Sequence, residues 1–201
     1  MFNPSRKATI SYPSLLSTII NDQRYTVSNV GRPGSCVQKG TGCYYGQYQE
    51  FKDALNSRPD IVVFMFGTND MMDRYWGGET KFTSDYKDMV QSFMLLETKP
   101  KMYLMIPPPV YTNSYDYDRN SFNMKVNNEV LSRLIWTIAK DLRFHDQQVI
   151  NLFESMGGHL RSEYELFCDG ESCDRIHPNS AGYSLIASMV FGALFGPSMK
   201  V

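Results

Sequence analysis

Two runs of consecutive apolar residues lie at residues 61–66 and 102–106, and a third stretch, at residues 149–153, is apolar apart from Asn151. The first is rich in β-branched and aromatic types, and no polar residue interrupts the first two. Uninterrupted apolar runs of this length are typical of strands buried on both faces, as in a parallel sheet covered by helices. Residues 25–30, which lead into a loop of turn-forming residues, predict a further short strand.

Between these runs the apolar residues recur at helical spacing. The pattern predicts helices at residues 11–20, 47–57, 83–98, 120–142 and 180–194. Because strands and helices alternate, we expect an α/β fold, a three-layer α/β/α sandwich around a parallel sheet. With 201 residues, the chain fits one domain spanning residues 1–201.

Composition and net charge limit the kinds of function that the chain can have. Hydrophobic residues make up 42% of the chain and charged residues 20%, as in ordinary globular proteins. A formal net charge of -1 offers no long-range attraction to nucleic acid or to an anionic membrane surface. No apolar run is long enough for a membrane span, and residues 1–10 do not resemble a signal peptide.

The four cysteines fall into two local pairs, Cys36 with Cys43 and Cys168 with Cys173. Two short disulfide loops would indicate an oxidising compartment, secreted or lumenal, whereas four free thiols would fit the cytosol. Neither pair has the Cys-x-x-Cys spacing of a zinc site, and we expect no metal or other cofactor.

Polar residues follow the first apolar run directly. Gly67 ends that run, and Thr68, Asn69 and Asp70 come next. In open α/β sheets, ligands bind at the carboxyl edge of the strands. Asn69 and Asp70 are therefore candidate site residues, although both types are also common in turns and helix caps.

A second candidate cluster lies near the end of the chain, where Asp174 and His177 stand three residues apart before Pro178. A carboxylate at this spacing can accept the Nδ1 proton of the imidazole and leave Nε2 to act as a general base. The alternative is a surface histidine beside an unrelated aspartate. Acyl transfer also needs an oxyanion hole, for which Asn69 offers a side-chain amide and Gly34 an unobstructed backbone N–H.

Gly34, the Gly67-Thr68-Asn69-Asp70 block and the Asp174-Arg175-Ile176-His177 block resemble, in this order, the motifs of the SGNH (GDSL) hydrolases. The similarity extends to Tyr12-Pro13, to the run of three prolines after Ile106 and to residues 177–183. It implies a flavodoxin-like sheet and the activity of a carbohydrate O-acetylesterase or small-ester acylhydrolase. By this resemblance, Gly34 and Asn69 are oxyanion donors, His177 is the base and Asp174 orients it.

One motif of that family is absent from the sequence. The nucleophilic serine of the family lies in a Gly-Asp-Ser turn after the first strand, and this sequence contains neither the turn nor an apolar strand before Ser11. Ser5 follows no strand and lies too close to Tyr12. Ser35 follows the oxyanion glycine directly and would be a poor substitute.

The missing strand would normally lie between the strand at residues 25–30 and the strand at residues 61–66. Their unpaired backbone groups would each cost roughly 1–3 kcal/mol. Three interpretations follow: the sequence is a piece of a longer active esterase, a protein partner completes the sheet by β-augmentation, or the two strands have closed the gap in an inactive relative.

For these 201 residues we expect no ester hydrolysis and a structural or binding role in an assembly, with an ester or carbohydrate ligand if the cleft is kept. The rival is a working serine acylhydrolase whose strand and serine lie outside the sequence. A weaker third hypothesis is a carbohydrate-binding module that uses Tyr75, Trp76 and Tyr111.

Overall fold

The computed structural model describes residues 11–111, 122–160, 164–167 and 174–196. Ser5 and the pair Cys168 and Cys173 lie outside these ranges. The helices and strands, in chain order, are α1 (Tyr12–Ile20), α2 (Gln49–Asn56), β1 (Ile61–Phe64), α3 (Glu79–Met94), β2 (Lys101–Ile106), a π-helical segment (Val126–Leu131), α4 (Ser132–Asp141), β3 (Val149–Asn151), α5 (Leu152–Ser155) and α6 (Ser180–Phe195).

The three strands form a parallel sheet in the order β1-β2-β3. Along β2, Leu104 and Ile106 contribute to one apolar cluster, which also takes in side chains of α3 and α4. Tyr103 and Met105, the alternate residues, contribute to a second cluster with α1 and α6. Because successive side chains of a strand point to opposite faces, helices cover both sides of the sheet. The predicted three-layer α/β/α sandwich is confirmed.

Several helix and strand boundaries differ from those predicted. α3 begins four residues earlier, at Glu79, and its first turn includes the fully buried Phe82. The predicted helix at 120–142 is a π-helical segment followed by α4, and its first two residues lie outside the described ranges. The third strand ends at Asn151, whose side chain accepts a hydrogen bond from the Glu154 N–H and so caps α5.

The strand predicted at residues 25–30 is wrong, since this segment is irregular. Val27 packs against the α1 and α6 cluster, and Val30 packs against the cluster on the other face. The segment therefore crosses from one layer to the other. Within the described residues no strand lies beside it to receive its hydrogen bonds, and an apolar stretch without such a neighbour does not become a strand.

β1 is an edge strand, so the prediction that it is buried along its whole length on both faces is also wrong. Ile61 is 37% exposed, Val62 and Val63 are half-buried, and Phe64 is buried. β2 covers one edge of β1, and no strand among the described residues covers the other. The carboxyl end of β1, which leads to the candidate residues, is thus its best-packed part.

Candidate active site

The chain turns sharply at Gly67, between β1 and the candidate residues. Gly67 has φ +127°, and a Cβ at this position would lie 2.8 Å from Leu131 Cδ1 and 3.3 Å from Pro107 Cγ. Only glycine fits both the backbone angle and the space. The Met71 N–H donates to the Gly67 carbonyl over 3.1 Å and closes the turn that holds Asn69 beyond the strand end.

Asn69 contacts the loop that carries the other proposed oxyanion donor. Its Nδ2 donates a hydrogen bond of 3.0 Å to the backbone carbonyl of Ser35, the residue after Gly34. A side-chain amide has two N–H donors, so this bond uses one of them and fixes the amide plane. The structure thus brings together two residues that are far apart in the sequence.

Gly34 lies in a turn closed by a bond of 3.3 Å from the Ser35 N–H to the Arg32 carbonyl. It has φ +75°, and no atom lies within 4 Å of where a Cβ would stand. With Pro33 before it, this is the residue order of a turn that needs a left-handed angle at its third position. No described residue accepts a hydrogen bond from the Gly34 N–H, which is what an oxyanion donor requires.

A disulfide joins Cys36 to Cys43, with 5.2 Å between their Cα atoms. The two residues are buried and are also linked by a bond of 2.8 Å from the Cys36 N–H to the Cys43 carbonyl. This confirms the disulfide interpretation for the first cysteine pair. The second pair lies outside the described residues. The crosslink closes a short loop immediately after Gly34 and Ser35.

Asp70 is fully buried at the same place. Its Oδ1 accepts hydrogen bonds from the backbone N–H groups of Val37, at 3.0 Å, and Gln38, at 3.1 Å. Burial raises the pKa of Asp70 to about 7, although these bonds work in the opposite direction. The sequence pointed to Asp70 only as an alternative to Asn69, since no local pattern reveals a bond to residues so distant in the chain.

The Asp174 and His177 side chains form the predicted pair. His177 Nδ1 lies 2.6 Å from Asp174 Oδ2, while Asp174 Oδ1 accepts the backbone N–H groups of Ile176, at 3.0 Å, and His177, at 2.8 Å. The Asp174 side chain is 11% exposed and the His177 side chain 61% exposed. The carboxylate is therefore enclosed by its own loop, and the imidazole stands at the surface.

The electrostatics of this pair suit an orienting carboxylate. Burial opposes the charge on Asp174, but the hydrogen bonds and the charge of His177, together with the Ile176 N–H, outweigh it and hold the pKa of Asp174 at about 2. Asp174 is therefore ionised throughout the neutral range. Its hydrogen bond to Nδ1 fixes the imidazole in one orientation and leaves Nε2 as the nitrogen without this partner.

The loop at residues 174–177 is anchored on both sides. Ile176 is buried in the α3 and α4 cluster, and the Arg175 carbonyl accepts the Tyr111 N–H over 3.0 Å. Asn179 caps α6 by accepting the Gly182 N–H over 3.0 Å. These contacts place the loop next to the segment that follows β2.

Both candidate clusters therefore lie at the carboxyl edge of the sheet. Asn69 follows β1, and Arg175 binds the segment after β2 through Tyr111. The strands are parallel, so their carboxyl ends share an edge. This edge therefore carries a carboxylate-bound imidazole and a backbone N–H that has no acceptor among the described residues.

Two alternatives lose support from burial. Ser35 is 5% exposed and its hydroxyl is buried, so it does not face an incoming ester. Tyr111 is 5% exposed and donates its hydroxyl to the Met156 carbonyl over 3.0 Å, so it offers no face to a sugar. Trp76 packs against Phe82.

Across the described part of the chain, no helix combines the length and the apolar character needed to cross a bilayer. In that same part, no group of three or more His, Cys, Asp or Glu side chains could hold a metal ion.

Comparison with known proteins gives a consistent picture. The sequence profile of the family described as GDSL-like lipase/acylhydrolase matches residues 5–185. An acetylxylan esterase of Xylanibacter ruminicola is 26% identical over 212 aligned positions, which include 96% of this chain and 40% of the relative. The chain thus spans less than half the length of this curated relative.

Solved structures show the same fold. An acetyl xylan esterase, AlAXEase, superimposes with a TM-score of 0.62 at 21% identity, over 92% of this chain and 91% of that one. A lipase/acylhydrolase of Enterococcus faecalis gives a TM-score of 0.63 at 19% identity, over 89% of this chain and 82% of that one. At such identities the likeness concerns the fold.

Proposed function

Since the chain belongs to the GDSL-like lipase/acylhydrolase family, we propose that its carboxyl-edge site is built for the hydrolysis of acyl esters. His177 is the general base, Asp174 orients it, and the Gly34 N–H and the Asn69 amide stabilise the oxyanion. The observation that carries the proposal is the bond of 2.6 Å between His177 Nδ1 and Asp174 Oδ2. It occupies Nδ1 and makes Nε2 the nitrogen that exchanges protons.

In this reaction a hydroxyl attacks the ester carbonyl while His177 Nε2 takes its proton. The carbonyl oxygen becomes an oxyanion, to which Gly34 and Asn69 donate hydrogen bonds. His177 returns the proton to the departing alcohol, and an acyl intermediate remains. Water, deprotonated by the same imidazole, then releases the acid.

The hydroxyl that attacks is not provided by these 201 residues, which contain no Gly-Asp-Ser turn. The buried hydroxyl of Ser35 does not replace it. We therefore expect the isolated chain not to hydrolyse esters. Its role is then binding or structural, within an assembly in which another strand lies against β1.

A second candidate function is an active serine esterase, and the open edge of β1 favours it. Val62 and Val63 are only half-buried there, although their strand is otherwise flanked by β2 and two apolar layers. A parallel strand from outside these residues would cover that edge. If it ended in a Gly-Asp-Ser turn, the serine would emerge at the carboxyl edge, beside Asn69.

The acetylxylan esterase relative suggests the substrate class, acetyl groups on carbohydrates. The disulfide between Cys36 and Cys43 supports an oxidising compartment, and we propose secretion.

The test uses p-nitrophenyl acetate and acetylated xylan as substrates. The 201-residue chain should release acetate no faster than its His177→Ala variant, because a base without a nucleophile gives only weak residual catalysis. Hydrolysis that depends on His177 in this chain would overturn the inactive assignment.

The second candidate has its own test. The chain is extended at its N-terminus by an apolar strand that ends in Gly-Asp-Ser. The extended chain should hydrolyse p-nitrophenyl acetate at least about 10³-fold faster than the same extended chain with alanine in place of the added serine. A folded extended chain that shows no such difference would rule the esterase out.

A further inference from the structure

Asp70 is an unusual residue to find in the core. It is fully buried, and its Oδ2 has no hydrogen-bond partner among the described residues. Buried polar atoms are nearly always paired, and leaving one unpaired destabilises the fold. An aspartate kept in such a place has a role that an apolar side chain of similar size would not perform.

The role is visible in what Oδ1 binds. It accepts two successive backbone N–H groups, those of Val37 and Gln38, which lie three and four residues after Gly34. Two donors converging on one oxygen fix both the position and the direction of that segment. A side chain without this oxygen would leave the two buried N–H groups without their acceptor.

The Gln38 side chain adds two hydrogen bonds between the same two segments of the chain. Its Nε2 donates to the Asp70 carbonyl over 3.3 Å, and its Oε1 accepts the Gly77 N–H over 2.8 Å. Gln38 is itself fully buried. The segment after Gly34 and the turn after β1 are thus tied together by side chains from both partners.

This connection includes the oxyanion donors. Asn69 directly precedes Asp70, and its amide plane is set by the Ser35 carbonyl, two residues before Val37. Any shift of the segment that Asp70 holds would therefore move the Ser35 carbonyl, the Asn69 amide and the Gly34 N–H together.

We propose that Asp70 is a positioning residue of the oxyanion hole, which sets the distance between its two donors by holding the Gly34 segment against the end of β1. The proposal rests on the proposed function for the roles of Gly34 and Asn69. Asp70 touches neither substrate nor reacting atoms and acts through these two residues.

Neighbouring charges offer a matched control. Asp85 lies on α3 and holds the next residue of the same segment, since its Oδ2 accepts the Lys39 N–H over 2.9 Å and the Lys81 ammonium over 2.6 Å. It makes no contact with Asn69 or Ser35 in the described hydrogen-bond network. An Asp85→Asn variant makes the same substitution at a neighbouring bond to this segment without touching the oxyanion donors.

The experiment measures ¹⁵N order parameters and chemical shifts in the 201-residue chain. In Asp70→Asn, the signals of the Gly34 amide and the Asn69 side-chain amide should shift. Their order parameters should fall from about 0.85 toward 0.6 or below, from rigid to flexible. In Asp85→Asn both signals should keep their wild-type values.

Unchanged Gly34 and Asn69 signals in a folded Asp70→Asn protein would overturn the proposal. If Asp70→Asn does not fold, Asp70→Ser is measured in the same way, because the smaller side chain leaves room for water to solvate the Val37 and Gln38 N–H groups. The same two signals decide the outcome.

A kinetic readout separates positioning from general stability. In the strand-extended chain, Asp70→Asn should lower kcat about 10- to 100-fold and change KM less than twofold, because oxyanion donors act mainly in the transition state. An equal rise in KM with constant kcat would contradict the role. If the extended chain has no activity at all, the proposed function fails while the order parameters still test the positioning role.

Discussion

Asp70 and Asp174 lie at the same edge of the sheet, but the pKa of Asp70 is raised and the pKa of Asp174 is lowered. Each accepts two backbone N–H groups on Oδ1. Asp174 presents its second oxygen to the His177 imidazole, and its pKa is lowered to about 2. The second oxygen of Asp70 lies in the core without a described partner, and burial raises the pKa to about 7.

The contrast shows that the same side chain serves two purposes. Backbone N–H bonds alone do not keep a carboxylate ionised once it is fully buried, whereas an added hydrogen bond to an imidazole at the surface does. On the proposed function, the Asp174 region handles protons and the Asp70 region holds the shape of the oxyanion hole. The Cys36–Cys43 disulfide lies in the second region, beside the Asp70 contacts.

Asp174→Asn should have the largest effect. An asparagine keeps the size of the side chain but presents the imidazole with the wrong hydrogen-bonding group, so the tautomer needed for base catalysis is lost. In the strand-extended chain, kcat should fall about 10⁴-fold. Steady-state hydrolysis of p-nitrophenyl acetate measures the change, and a loss below tenfold would mean that His177 does not depend on its partner.

The two pKa shifts predict opposite dependences of stability on pH. The folded pKa of Asp70, about 7, lies above its ordinary value of 3.8, so the folded state binds the proton more tightly than the unfolded state. The contribution of Asp70 to the unfolding free energy is therefore fully present below about pH 4. It falls by about 4 kcal/mol in total as the pH rises to 7. Urea unfolding between pH 4 and 8 tests this, and Asp70→Asn should flatten the curve.

For Asp174 the sign reverses. Its folded pKa of about 2 lies below the ordinary 3.8, so its contribution is present above about pH 4 and disappears as pH falls toward 2. The loss should be about 1–2 kcal/mol, because solvent around the exposed imidazole screens the pair. Asp174→Asn should remove this acid-side slope and leave the slope between pH 4 and 7 intact. A variant that changes both slopes would contradict the separation of the two regions.

Replacement of Cys36 and Cys43 by serine should destabilise the Asp70 region, next to which the disulfide lies. The crosslink lowers the conformational entropy of the unfolded chain. Its loss should therefore reduce the unfolding free energy by about 2–3 kcal/mol. Urea unfolding of the double variant measures this difference in unfolding free energy. The His177 and Asp174 resonances should not move, and a shift there would show that the two regions are not independent.

Gly34→Ala should have only a small effect on stability. The position has φ +75° but no atom within 4 Å of a Cβ, so only the backbone angle opposes alanine, at about 1–2 kcal/mol. Gly67→Ala is the matched control, because its Cβ would also meet Leu131 at 2.8 Å. Thermal unfolding should rank Gly67→Ala as the more damaging, and the reverse order would contradict this account.

Sequence patterns predicted the parts of this fold that depend on local order. The apolar run of β2 and the proline-led start of α1 both specify their elements, and the structure agrees with both. Residues 25–30 look equally strand-like, but strand formation depends on a neighbour that no local pattern reports.

At the site, too, local contacts could be predicted from the sequence and long-range contacts could not. Asp174 and His177 are three residues apart, so their contact could be inferred from spacing, and the structure confirms it. The bonds from Asp70 to Val37 and Gln38 span more than thirty residues. They depend on how the loop before α2 folds back onto β1, which the periodicity of the chain does not encode.

We infer that a base and an oxyanion hole, although built so differently, form one ester-hydrolysing site. The most direct test compares kcat/KM for the strand-extended chain with its Asn69→Ala, His177→Ala and double variants, on p-nitrophenyl acetate. We predict that Asn69→Ala lowers the rate about 10²- to 10³-fold and that the double variant is slower by less than the product of the single losses, because residues of one site act as a unit. Single variants that leave the rate unchanged, or losses that simply multiply, would contradict the claim.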